Sequence, residues 1–127
     1  MSMEKYAELN LYRARGIVHT FTADGPFNWV PERDGCLLKL DAGAGGPWTV
    51  TLSVTLPTAP TLPTGMRLWV EFYQGGAGGS LITWPGSFQF QTAGDQIPNA
   101  GVANTTIWTG IFGVGSSNCY MTKLGEW

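Results

Sequence analysis

The chain has 127 residues, enough for one domain with a core of ordinary size. Its 7 Lys and Arg against 9 Asp and Glu give a formal net charge of −2, so it lacks the basic surplus on which general nucleic-acid binding draws. Charged residues are 13% of the chain, about half the usual ~25%, the 18 glycines are roughly twice the usual share of ~7%, and no apolar run approaches the ~20 residues that span a bilayer.

Met1, Ser2, Met3, Glu4 and Lys5 lead into no apolar segment, so no signal peptide is expected. Met3 to Arg15 is a mixed segment. Tyr6, Leu9 and Tyr12 fall on one side of a short helix, with Arg13 and Arg15 near its end. A helix this short is marginal alone, and the other reading is an arm that orders only against a neighbour. Ile17 to Thr22 alternates, with Ile17, His19 and Phe21 on one side. Asp24-Gly25-Pro26 signals a turn, and Phe27 to Val30 reads as a short strand closed by Pro31. Glu32 to Gly35 is expected to be a charged turn. Cys36, Leu38 and Leu40 then alternate with Leu37, Lys39 and Asp41 as a further strand.

Trp48 to Leu56 has the cleanest alternation. Trp48, Val50, Leu52, Val54 and Leu56 share one face, and Thr49, Thr51, Ser53 and Thr55 share the other. Pro57 to Gly65 holds three prolines and is expected to be a surface loop. Met66 to Tyr73 alternates again. Met66, Leu68, Val70 and Phe72 point one way, and Arg67, Trp69, Glu71 and Tyr73 the other. With the glycine run Gly75 to Gly79 and the strand-like Ser80 to Trp84, this stretch reads as a β-hairpin with a flexible tip. Trp84 to Ser87 is a turn, Phe88 and Phe90 alternate with Gln89 and Gln91, and Thr92 to Asn104 is a polar loop. Thr105 to Phe112 and Cys119 to Leu124 are the last strands, joined by the glycine- and serine-rich turn Gly113 to Asn118. Eight or nine short strands spaced by ~8–12 residues, with almost no helix, predict an all-β fold: an antiparallel β-sandwich or barrel.

Catalytic chemistry has little to work with. His19 is the one histidine and lies on an apolar strand face, where a structural role is expected. No serine sits in a nucleophile elbow. The carboxylates fall mostly in turns and near the ends, and Asp24, Glu32, Asp34 and Asp41 match no compact calcium loop. The run Gly75 to Gly79 lacks the Lys and Ser/Thr of a phosphate-binding loop. Cys36 and Cys119 are too few for a disulfide framework or a metal cluster and read as buried free thiols, with a bridge open only to neighbouring strands in an oxidising compartment. The reading is therefore a non-enzyme with no cofactor and no metal. The six tryptophans are candidates for core, subunit interface or sugar-stacking positions.

From Gly65 onward the chain resembles a β-sandwich domain common among tailed-phage virion proteins. The resemblance rests on the strand Leu68 to Gln74, the glycine-rich tip, Thr83-Trp84-Pro85 followed by Phe88 and Phe90, the polar loop, and Thr105 to Phe112 with a short final strand. Cys36 to Leu40 and Trp48 to Leu52 fit more loosely, so residues 35–124 are covered. The family's tail-fibre members carry the domain on a long fibrous chain that this sequence does not contain, and the first residues have no counterpart in the pattern.

The resemblance implies a jelly-roll-like antiparallel sandwich of about eight strands (residues 16–127) with an N-terminal arm (residues 1–15), assembling as a homotrimer on the virus particle. The expected role is a capsid decoration (cement) protein, made in the host bacterial cytoplasm and bound to the major capsid protein. The alternative is a tail-associated module that contacts a host receptor or surface glycan. Neither nucleic acid nor membrane is an expected partner. Capsid or subunit contacts are expected at Tyr6, Leu9, Tyr12 and Arg13 of the arm and at Trp69 and Tyr73.

Overall fold

The structure, a computed structural model, describes residues 16–56, 67–112 and 118–127. Among the described residues nine strands lie in two sheets, so the β-rich expectation holds: β1 Ile17–Phe21, β2 Gly25–Trp29, β3 Leu37–Ala42, β4 Thr49–Val54, β5 Arg67–Tyr73, β6 Leu81–Thr83, β7 Phe88–Phe90, β8 Thr105–Phe112 and β9 Cys119–Glu126. Six strands form one sheet in the order β1-β3-β5-β8-β9-β7, and three form the other in the order β2-β4-β6.

The pairing differs from the expected antiparallel one. Five of the seven pairings among the described residues are parallel. The reason lies in the connections. From β1 to β6 the chain changes sheet after every strand, so each strand's neighbour in its own sheet is two along and runs the same way. The result is three successive coils, starting at Ile17, Leu37 and Arg67. Only β5–β8 and β8–β9 are antiparallel, and β8–β9 is a true hairpin. Met66 to Trp84 is therefore no hairpin. β5 pairs with β3 and β8, whereas β6 pairs with β4 in the other sheet. Both strands were legible; their pairing was not, because an alternating pattern names the faces of a strand and leaves its neighbours open.

The two sheets share one core. Leu38, Leu40, Leu68, Val70, Phe72 and Trp108 come from the large sheet, and Trp29, Val50, Leu52 and Ile82 from the small one. Strand register stacks these residues in rows, with Ile17 opposite Leu38 and Leu38 opposite Val70 across parallel pairs, and Val70 opposite Trp108 across the antiparallel β5–β8 pair. The faces predicted for β4 and β5 are the observed ones: Val50, Leu52, Leu68, Val70 and Phe72 are buried, while Thr51 and Ser53 are exposed. At one end of the core the His19 ring stacks on Phe27, centroids 4.1 Å apart, joining β1 to β2 across the two sheets. Around Trp84, a ring cluster brings Phe90 and Trp108 each to 5.0 Å and Phe88 to 5.9 Å. The indoles of Trp29, Trp84 and Trp108 donate to the carbonyls of Gly35, Gln96 and Asp95, so each large ring is anchored to a loop.

The glycine-rich run is a packed junction, not the flexible tip expected. A Cβ on Gly75 would run into the Ala42 carbonyl, and one on Gly76 into that of Gly45, so this loop lies directly on the β3–β4 connection. Gln74, fully buried, closes the loop at its base: its amide donates to the Ser80 carbonyl (2.7 Å) and accepts from the Ser80 N–H (3.0 Å). The Ser80 hydroxyl in turn accepts from Trp48 N–H at 2.9 Å. Glu32 to Gly35, expected as a charged turn, falls mostly in a short helix, Pro31–Asp34, which Pro31 opens and Gly35 caps. Pro57 to Met66 lies outside the described residues, and among the described residues no helix is long and apolar enough to cross a membrane.

Candidate contact surface

β5 places the candidate residues. It is a central strand of the large sheet, flanked by β3 and β8, so Trp69 and Tyr73 are not edge residues. Leu68, Val70 and Phe72 enter the core, which turns Arg67, Trp69, Glu71 and Tyr73 to the outer face. Register carries this face across the sheet. One row runs Leu37, Trp69, Thr109 and Thr122; the next runs Val18, Lys39, Glu71 and Ile107.

The middle of this outer face is as dry as the core. Trp69 and Ile107 have no exposed surface, Leu37 retains 3%, and Leu124 packs against them. Thr109 is buried too, and its hydroxyl donates to the Leu68 carbonyl at 3.1 Å. Glu71 is 8% exposed. Trp69 thus offers no surface to a partner in this arrangement, and Tyr73 is half-buried with the Lys39 ammonium 5.9 Å from its ring centroid. Tyr6, Leu9, Tyr12 and Arg13 lie outside the described residues.

The exposed apolar residues of this face were not singled out in the sequence. Ile111 on β8 and Tyr120 on β9 stand opposite one another, 40% and 51% exposed, and Arg67 is the partner of Ile111 on the other side. Together they make a row of one cation, one aliphatic and one aromatic side chain. The alternation of β8 marks Ile107, Thr109 and Ile111 as one face. That face is buried at Ile107 and open at Ile111, a change of environment along one strand that periodicity does not carry. Trp127, 54% exposed, lies at the opposite end of the β8–β9 ladder, paired with Thr105 through the backbone.

The titratable groups are tied to structure. Burial lowers the pKa of His19 below its ordinary value. The side-chain hydrogen bond from Arg33 pulls Asp34 down, and the Val30 N–H adds to it. Asp24 accepts from Thr49 N–H, fixing the turn before β2. Cys36 is half-buried, and burial pushes the Cys119 thiol up to about 12. Among the described residues no three His, Cys, Asp or Glu side chains gather into a metal-binding group.

The chain matches no family model, no curated protein and no solved structure.

Proposed function

We propose that this chain is a bacteriophage virion structural protein, a capsid decoration protein that binds the assembled shell and stabilises it. The observation that carries this reading is the row formed by half-buried Arg67 with exposed Ile111 and Tyr120 on the outer face of the large sheet. Aromatic and arginine side chains are enriched where protein surfaces meet, and an aliphatic neighbour supplies apolar area to bury. The resemblance over residues 35–124 points the same way. One of its motifs, Thr83-Trp84-Pro85 with Phe88 and Phe90, supplies most of the ring cluster that packs on Trp108, a scaffold role. A jelly-roll-like sandwich and a homotrimer belong to this proposal, with the major capsid protein as partner and the virion as location. No catalytic residue is proposed.

Decoration works by mass action: a protein that binds only the assembled shell raises the free energy needed to take that shell apart. The test is calorimetry of expanded shells lacking the protein, with and without a saturating amount of it. Decorated shells should disrupt at a higher temperature, by an increment that grows with free protein concentration. An unchanged disruption temperature at every concentration contradicts the reading.

The second reading, a tail-associated module that contacts a host glycan, is favoured by the exposed rings of Tyr120 and Trp127, since an aromatic face can stack on a sugar ring. It predicts a saturable change in tryptophan fluorescence with a surface glycan of the host. No change across a panel of host glycans sets it aside.

A further inference from the structure

The first strand of each sheet meets the other through a pair of rings. His19 on β1 lies over Phe27 on β2, centroids 4.1 Å apart and planes 14° from parallel, with Phe21 alongside at 6.1 Å. We propose that this stack is an acid-sensitive latch: a proton on His19 frees β1 and β2 from one another while β8 and β9 keep their packing. The proton is the effector, and the rings of Phe21 and Phe27 are what the open form presents.

Three observations carry this. The first is position. Among the described residues β1 pairs with β3 alone and β2 with β4 alone, whereas β8 and β9 each have a neighbour on both sides. A strand held by one ladder opens at lower cost than one held by two, so local opening starts at such edges. The second is the setting of the ring. His19 stands opposite Leu40 and Leu40 opposite Phe72, so its row runs into the core. Among the described residues the inward faces of β1 to β5 carry no other titratable or charged side chain. Ile17 and Phe21 flank the ring on β1, and Phe27, Trp29 and Leu52 belong to the sheet opposite. The charged groups of these strands, Lys39, Asp41, Arg67 and Glu71, are on the outer face of the large sheet. Asp24, in the turn before β2, accepts from the Thr49 N–H at 2.7 Å. An imidazolium in this place loses solvation and gains no carboxylate, and burial accordingly holds the ring below its ordinary pKa. The third is access. His19 is only half-buried, so a proton reaches it without prior unfolding of the core.

In the open form the ring is solvated and takes a proton near ~6.5, whereas in the closed form it resists one. Acid therefore favours opening, by at most about tenfold between pH 7.5 and pH 5.5 for one such site. The latch is independent of what the protein binds, and its test needs only the full chain. Hydrogen exchange is read at both pH values, each rate divided by that of the unstructured chain. Protection of the β1 and β2 amides should fall severalfold at pH 5.5 and lie at least tenfold below that of β8 and β9. In His19→Phe, which keeps a ring on Phe27 and has nothing to titrate there, the fall should vanish. Three results overturn the latch: equal protection of all four strands at pH 5.5, which makes the opening global; no fall in β1 and β2; or the same fall in the variant. NMR titration of the wild-type histidine is a second readout that needs no variant, and it is unambiguous because the chain has 1 His. A midpoint below ~6.5 is expected. A midpoint at or above that value would mean that the Phe27 ring favours the cation, and it too overturns the latch.

Discussion

Gly110 stands on β8 between Trp108 and Phe112, facing the core, where the sulfurs of Met121 and Cys119 occupy the space a methyl group would need. The two sulfurs are themselves in contact, Sγ to Sδ 3.6 Å, so neither can yield without disturbing the other. Gly110→Ala should therefore destabilise the fold by about 1–3 kcal/mol, the usual cost of overpacking a filled core, read as a lower urea midpoint with an unchanged slope. An unchanged midpoint would mean that the sulfurs rearrange freely. His19 gives a second residue-level prediction. Its folded pKa lies below the unfolded value because burial disfavours the charged ring. The unfolded chain therefore takes up the proton first, and stability is complete above the unfolded value near ~6.5 and declines as pH falls below it. Thermal unfolding followed from pH 8 to pH 5 should show this decline, and His19→Phe should flatten it while keeping the stack on Phe27. A wild-type profile that is flat, or rises toward acid, contradicts this account. The thiols make a third. Cys119, buried with its pKa pushed up to about 12, should resist a neutral-pH thiol reagent in the folded protein and react only after unfolding. Prompt labelling of Cys119 in the folded protein would show that this end of the core opens readily.

At the scale of elements, the connection between β5 and β6 matters more than its glycines suggest. Gln74 spends both ends of its amide on Ser80, and its own backbone bonds to Asn104 and Ala103. Three loops thus meet around one buried side chain: the β3–β4 connection, the glycine run and the stretch before β8. Gln74→Leu should leave the Ser80 N–H and carbonyl without these partners, at a cost of about 1–3 kcal/mol per buried group. Hydrogen exchange should show the added opening concentrated in residues 75–80 and in the neighbouring loops. Uniform opening across all strands would contradict a local clamp. This junction also marks where the sequence ceased to be legible. The strand Trp48 to Leu56 could be read with its faces because alternation reports burial on each side. Gly75 to Gly79 read as a mobile tip because glycine has the same composition signature whether it supplies freedom or close approach. Only the Ala42 and Gly45 carbonyls behind it decide between the two.

For the whole molecule, the winding of β1 to β6 between two sheets is the feature that single strands do not announce. Coiled architectures are recognised by a fixed repeat length, and here the connections are unequal: β2 to β3 passes through a short helix, and β4 to β5 through the longer stretch from Thr55 to Met66. The all-β class was legible, as was the position of nearly every strand, while the parallel pairing was not. The contact surface was legible in part. Alternation correctly turned Trp69 and Tyr73 away from the main core, but burial of Trp69 depends on what lies over the sheet, and exposure of Ile111 and Tyr120 depends on which strands are neighbours. At this scale the account predicts that Ile111→Asp with Tyr120→Asp leaves the melting temperature within a few degrees of wild type, because both side chains lie at the sheet surface, outside the main core.

The measurement that tests the central claim most directly is co-sedimentation of the purified protein with expanded capsids that lack it. The account predicts saturable binding at a fixed ratio to the coat subunit, weakened at least tenfold by the Ile111→Asp and Tyr120→Asp pair. Absence of binding by the wild-type protein, with the protein recovered instead in purified tails, would contradict decoration and favour the receptor-contact reading.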